Sequence, residues 1–214
     1  ADVDAVPCDE VRSIQLSGNA FSRGTCADAA RYAAKRAREF DMVSFLDLDL
    51  RPTDWDHPRE FGITMRSILP LVDVAIGTEE EFYALLAPYP DPVVGGSLLS
   101  DGERGLLEGL IGEVFANGVT GTIVLKRGPR GSEVISDAER VVVPGFPVEV
   151  LDTVGAGDAF ASGLIWSRLQ GKSWYESCRF GNACGALVVT RHGCAVALPN
   201  RADVIEFARE RGGL

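Results

Sequence analysis

Short apolar runs alternate with helix-length segments along this chain, and that alternation restricts its fold more than any other feature. Val11–Ser17 alternates and closes on Gly18-Asn19, and Met42–Leu50, Val72–Ile76 and Gly121–Lys126 are short apolar runs. Between them lie stretches with helical spacing: Cys26–Phe40, Pro58–Leu69, a segment capped by Thr78 and running through Leu86, and Asp101–Ala116. Strands spaced by helices imply parallel pairing through helical crossovers. The chain therefore reads as an α/β fold with a doubly wound, mainly parallel sheet. Ser132–Ile135 and Arg140–Val143 read as paired strands after the turn Arg127–Gly131. Helices are expected over Ala159–Leu169, Trp174–Val189 and Ala202–Arg211, with a loop at Thr190–Pro199. Gly181, Ala183, Gly185 and Ala186 predict close packing at the centre of the second of these. Ala87–Ser100 carries Pro88, Pro90, Pro92, Gly95 and Gly96 and is expected to be loop. It is the candidate linker in a chain otherwise taken as one core over residues 1–214.

Charge and cysteine content exclude several classes. The formal net charge is -10 and no dense basic run occurs, which argues against a nucleic-acid backbone as partner. Phosphate binding stays open, because glycine turns and helix ends bind anions locally. The cysteines, Cys8, Cys26, Cys178, Cys184 and Cys194, are odd in number and widely spaced, with two histidines in the chain. Neither a disulfide framework nor a zinc site is expected. His192 and Cys194 are too isolated for a metal site or a cysteine nucleophile. No run of about 18 apolar residues suggests a membrane span, and the acidic start is no signal peptide. A cytoplasmic location is the default expectation. The chain lacks an initiator Met and its first element begins mid-fold, so it is expected to be a fragment.

Leu151–Phe160 (Leu-Asp-Thr-Val-Gly-Ala-Gly-Asp-Ala-Phe) carries the clearest chemistry. It reads as an extended segment, a glycine turn and a helix start. Gly155, Ala156 and Gly157 would let backbone amides face outward, where the helix dipole adds positive charge. Asp158 falls in the first helical turn, placing a carboxylate beside any anion held there. That pairing suits phosphoryl transfer to a hydroxyl, with Asp158 as base. A plain strand-to-helix turn is the other reading of the same spacing.

Gly18-Asn19, Asp47–Arg51, Gly77–Glu81 and Lys126–Gly131 also follow expected strands, and a parallel sheet would gather them along one edge. Taken singly, each has a simple account. Asp49 and Arg51 could form a surface ion pair, Thr78 and Glu81 a capping box, and Lys126–Gly131 an ordinary turn.

Asp152–Phe160 with its helix resembles the signature of the PfkB-type, ribokinase-like carbohydrate kinases. Smaller patches resemble one branch of that family, the 5-dehydro-2-deoxygluconokinases of myo-inositol breakdown. These are Leu16–Ser22, Leu46–Pro52 with Trp55, Ile76–Phe82, and Thr190–Ala195 with Leu198-Pro199. The neighbouring 2-dehydro-3-deoxygluconokinase branch is the alternative, with fructokinase or ribokinase beyond it.

The resemblance implies an ATP-dependent kinase acting on a small sugar acid, with Mg2+ and a possible K+ requirement. Asp158 would be the base, and the amides around Gly155, Ala156 and Gly157 the anion hole. Thr78 and Glu81 match an Asn-x-x-Glu patch whose glutamate organises magnesium and its waters; Thr78 departs from the Asn. Lys126, Gly128 and Gly131 match the turn beside the nucleotide, and Asn182 and Gly193 the wall of the adenine pocket. Asp152 and the Val154 carbonyl match a monovalent-cation site. Asn19, Asp49 and Arg51 match substrate-side positions, with Asp49 and Arg51 in the places of an Asp-x-Asn-x-Arg motif. The family comparison also implies that the first strands, a small β-lid and most sugar contacts precede this chain. Dimerisation through that lid, as in many relatives, is part of the same expectation. A non-catalytic nucleotide-binding remnant is the reading of another class.

Overall fold

The computed structural model describes residues 2–88, 99–116 and 121–214. Most of the proline-rich loop expected at Ala87–Ser100 lies outside the described residues. Strands β1 (Ser13–Ser17), β2 (Val43–Asp47), β3 (Val74–Thr78), β4 (Thr122–Lys126), β5 (Ser132–Ser136) and β6 (Arg140–Val143) form one sheet in sequential order. The β1–β2 and β2–β3 pairs are parallel and β5–β6 is antiparallel. The mainly parallel α/β sheet expected from the sequence is thus observed. Helices α1 (Gly24–Glu39) and α2 (Pro58–Ile68) make the first two crossovers. They are followed by α3 (Glu79–Leu86), α4 (Asp101–Ala116), α5 (Ala156–Leu169), α6 (Trp174–Val189) and α7 (Arg201–Arg209).

The contacts divide the chain into two compact units. The first holds the residues up to Val124 with Ser136–Ala138, and the second Leu125–Ile135 with Glu139–Leu214. In the first, β2 and β3 are buried almost throughout, as expected of strands covered on both faces. Phe45, Leu46, Leu48, Phe61, Met65, Ile76, Phe82 and Leu85 fill its core. Asp73 pins the start of the strands. Its Oδ2 accepts from the Ser44 amide (2.8 Å) and hydroxyl (2.7 Å), and its carbonyl accepts from the Thr122 amide at 3.0 Å. That cross-link sets which residues leave the far ends of β2 and β3.

The second unit is built on the packing of α5 against α6. A Cβ on Gly181 would lie 2.9 Å from the Phe160 carbonyl oxygen, and one on Gly163 would lie 2.7 Å from Cys184 Sγ. Small residues therefore set the helix separation, as their clustering predicted. Phe146, Phe180, Leu187, Val188, Val204 and Phe207 complete this core.

Two boundaries differ informatively from the sequence reading. The segment before the glycine turn, expected to be extended, joins no strand; Leu151 and Asp152 instead donate their amides to the Val189 carbonyl at 2.7 and 3.3 Å. The loop at Thr190–Pro199 contains a 3-10 turn over Ala195–Ala197. The first follows from α6, whose carboxyl end supplies an acceptor that local propensity does not reveal; the second is closed within its own loop, where the Ala197 amide donates to the Cys194 carbonyl at 3.1 Å.

Candidate active site

In the second unit the start of α5 is shaped by its neighbours. Asp152 makes an Asx turn, its Oδ1 accepting from the Val154 amide at 3.0 Å. Gly155 follows as N-cap with φ +82, a left-handed conformation that costs an L-residue about 1–2 kcal/mol. A Cβ there would also stand 2.9 Å from Cys194 Sγ. The loop after α6 thus closes on the turn, and only glycine fits. The Ala156 amide donates to the Thr153 carbonyl at 3.3 Å, whereas the amides of Gly157 and Asp158 make no backbone hydrogen bond. These are the orphan donors of a helix start, left uncapped by any side chain among the described residues.

Two side chains complete this corner. Lys126, the last residue of β4, brings its Nζ to 3.4 Å from the position a Cβ on Gly157 would take. Asp158 is exposed, and none of the described residues offers its carboxylate a hydrogen bond or an ion pair. An ammonium and two open amides beside an uncommitted carboxylate can hold a phosphate and accept a proton next to it.

Beside it, the turn after β4 is locked from behind. The Arg127 amide donates to the Gly131 carbonyl at 2.8 Å. Gly131 sits at φ +92, and a Cβ there would overlap the Val143 carbonyl oxygen at 2.1 Å. Glu133 is buried beneath the turn, 2.5 Å from Arg127 Nη2 and paired also with Arg140. Asn182 Nδ2 donates to the carbonyls of Val143 (3.3 Å) and Pro144 (3.1 Å). Its amide nitrogen therefore braces this wall. Arg179 donates to the carbonyls of Pro144 (2.9 Å), Gly145 (3.3 Å), Arg211 (3.3 Å) and Gly213 (3.1 Å), and stacks on Phe146. Burial lowers the Arg179 pKa from its usual value. Gly128 (φ +55) and Gly193 (φ +95) take the positive φ angles their turns require.

The first unit holds the remaining candidates. Thr78 and Glu81 form the expected capping box: Thr78 Oγ1 accepts from the Glu81 amide at 3.2 Å, and Glu81 Oε2 from the Thr78 amide at 2.7 Å. Glu81 Oε1 also accepts from the Leu50 amide at 3.0 Å, tying the loop after β2 to the start of α3. Asp49 has φ +35 and lies 3.3 Å from Arg51 Nε, so the ion pair anticipated for these two exists. Ser17 Oγ stands 2.8 Å from Asp49 and 3.0 Å from Asn19.

The sequence reading missed Ser17, Glu133 and Arg179 as supports. A signal existed for the last two, since a charge inside a short apolar strand or a small-residue helix is rarely buried without a partner. All five cysteines are free, and burial pushes the Cys178 and Cys184 thiols up to about 12. His192 is exposed, and no group of three His, Cys, Asp or Glu that could hold a metal occurs among the described residues. No helix among them is long and apolar enough to cross a membrane.

A mainly parallel α/β sheet, a glycine turn that opens α5 and a carboxylate in the first turn of that helix make up a ribokinase-like fold. The chain belongs to the PfkB family of carbohydrate kinases, whose model matches residues 2–201. It is 29% identical over 197 residues to 5-dehydro-2-deoxygluconokinase 2 of Bacillus cereus, covering 92% of this chain and 56% of that protein. The chain therefore spans little more than half the length of that relative. An E. coli protein assigned as ribokinase II, solved in complex with ATP and Mg2+, superposes with a TM-score of 0.77 at 26% identity, over 94% of this chain and 59% of its own. A fructokinase from Xylella fastidiosa with bound ATP has the same fold, with a TM-score of 0.79 at 21% identity over 98% and 64% of the two chains.

Proposed function

We propose that this chain is the nucleotide-binding and phosphoryl-transferring part of an ATP-dependent sugar-acid kinase. Its acceptor is 5-dehydro-2-deoxygluconate, phosphorylated on the primary hydroxyl to the 6-phosphate. The observation that carries the reading is the start of α5, where open amides and the Lys126 ammonium adjoin the uncommitted carboxylate of Asp158. The substrate class rests on the likeness to 5-dehydro-2-deoxygluconokinases.

In this reading the amides of Gly157 and Asp158, with Lys126 Nζ, hold the γ-phosphate. The acceptor oxygen attacks phosphorus, its proton passes to the Asp158 carboxylate, and the bond to the β-phosphate oxygen breaks to leave ADP. Catalysis is then mostly positioning and charge stabilisation. The turn at Gly128–Gly131 and the wall braced by Asn182 and Arg179 face the nucleoside. Asn19, Asp49 and Arg51 serve the sugar acid.

Mg2+ bound with the nucleotide would neutralise charge between its phosphates. The described residues offer no protein cage for it, which suits an ion held mainly by phosphates and water. Both Glu81 oxygens already accept amides; Glu81 would contribute by orienting a water of that ion. Asp152 and the Val154 carbonyl are the candidates for a K+ site.

The test is phosphoryl transfer by the whole protein with 5-dehydro-2-deoxygluconate, 2-dehydro-3-deoxygluconate, fructose and ribose. Asp158→Asn should lower kcat about 10²–10⁴-fold and leave ADP binding within a few-fold. Near-normal turnover in that variant would refute Asp158 as base.

A further inference from the structure

Three side chains of the first unit meet at one hydroxyl. Ser17 Oγ lies 2.8 Å from Asp49 Oδ2 and 3.0 Å from the atom placed as Asn19 Oδ1. A hydroxyl carries one proton and can satisfy only one of two acceptors. The carboxylate is the stronger acceptor, so the proton belongs to Asp49. The second contact would then set two oxygens against each other. Turning the Asn19 amide end for end removes the conflict, because its oxygen and nitrogen are distinguished only by their hydrogen-bond partners. Nδ2 then donates to Ser17 Oγ, and a chain runs from the Asn19 N–H through the Ser17 O–H to the Asp49 carboxylate.

Asp49 is constrained from other directions as well. Arg51 approaches both carboxylate oxygens, at 3.3 and 3.5 Å. The φ of +35 is one that a non-glycine residue keeps only where its surroundings over-determine it. Sheet register brings the partners together: Ser17 ends β1 opposite Asp47 at the end of β2. Gly18 then admits the Leu48 carbonyl oxygen, which a Cβ there would meet at 2.0 Å.

We infer that Ser17 is a positioning residue of the sugar-acid site. It holds Asp49 as an acceptor for substrate hydroxyls and turns Asn19 so that its carbonyl oxygen is a second acceptor. This rests on the kinase reading and on the substrate-side roles of Asn19, Asp49 and Arg51 within it. Two acceptors beside one guanidinium match a polyhydroxy acid, whose hydroxyls donate and whose carboxylate accepts.

The experiment compares wild type, Ser17→Ala and Ser17→Thr in the whole protein. It uses steady-state kinetics with 5-dehydro-2-deoxygluconate and ATP, together with the side-chain amide NMR signals of Asn19. Ser17→Ala should raise KM for the sugar acid about tenfold, as for loss of one hydrogen bond to a charged group. KM for ATP and kcat should stay within about twofold. The Asn19 signals should shift, and Ser17→Thr, which restores the hydroxyl, should reverse both effects. An unchanged KM for the sugar acid, or an equal rise in both KM values, overturns the positioning role. Asn19 signals indifferent to Ser17→Ala overturn the amide orientation. If the wild type phosphorylates no sugar acid, the sugar-acid reading fails and this role fails with it. That failure is recognised because the Asn19 signals still respond to Ser17→Ala.

Discussion

Lys126 points its ammonium at Gly157, with Nζ 3.4 Å from the place where a side chain on that glycine would begin. The two residues come from the end of β4 and the first turn of α5. Their approach adds a full positive charge to the partial charge of a helix start. A methyl on Gly157 would stand against the ammonium at van der Waals distance, beside the open amides, and leave less room for an anion there.

That geometry separates two glycines two residues apart. Gly157 has no positive φ and meets only the flexible end of Lys126, so Gly157→Ala should leave Tm unchanged or slightly raised. Affinity for a non-hydrolysable ATP analogue should fall about tenfold in the same variant, and that for ADP less, because ADP lacks the γ-phosphate these groups hold. Gly155→Ala should instead destabilise by about 1–3 kcal/mol, from its left-handed φ and the Cys194 contact. Urea denaturation and calorimetric titration of both variants with the ATP analogue and with ADP check this. Equal behaviour of the two would contradict the account.

Glu133 is buried between two arginines, one of them 18% exposed and the other 49%. Removing the carboxylate takes its ion pair from the largely buried Arg127, while Arg140 is exposed enough to reach water. Glu133→Ala should cost about 3 kcal/mol, the low end for breaking a buried ion pair. Glu133→Gln keeps an acceptor and should cost less. Denaturant midpoints for the two variants decide, and equal losses would rule out the charge as the cause.

The start of α6 makes stability depend on acidity. Glu176 accepts from the Ser173 amide (2.9 Å) and hydroxyl (2.8 Å) and pairs with Lys172, which lowers its pKa from 4.5 to about 2. A carboxylate depressed in the folded state stabilises fully above its unfolded value and loses that contribution as pH falls toward the folded one. Glu176→Gln should therefore lower Tm at pH 5 and above, and the gap should close as pH drops from 4.5 toward 2. Thermal melts across that range test it; a gap independent of pH would mean that packing, not charge, is lost.

Elements and caps were legible because their causes are local. Thr78 and Glu81 stand three residues apart, the spacing a capping box needs, and the structure contains that box. Apolar runs marked β2, β3 and β4 because strands buried along most of their length are filled with apolar side chains. The turn at Asp152–Asp158 was readable for the same reason: small residues and an acid at a helix start mean the same thing in any fold. The segment before it joins no strand, and what holds it was not legible: its amides turn to the Val189 carbonyl, some 40 residues away in sequence.

By itself, then, the sequence determined the α/β order, the glycine turn with Asp158 in the first turn of α5, and the cap that binds Thr78 to Glu81. Each depends on side chains within a few residues of one another, so composition and spacing suffice. Tertiary structure alone decided that Lys126 reaches Gly157, that Ser17 meets Asp49, that Glu81 also holds Leu50, and that Arg179 ties the Pro144 and Gly145 carbonyls to those of Arg211 and Gly213. These contacts join segments far apart in the chain. Strand register and helix separation create them, and both are properties of the packed whole.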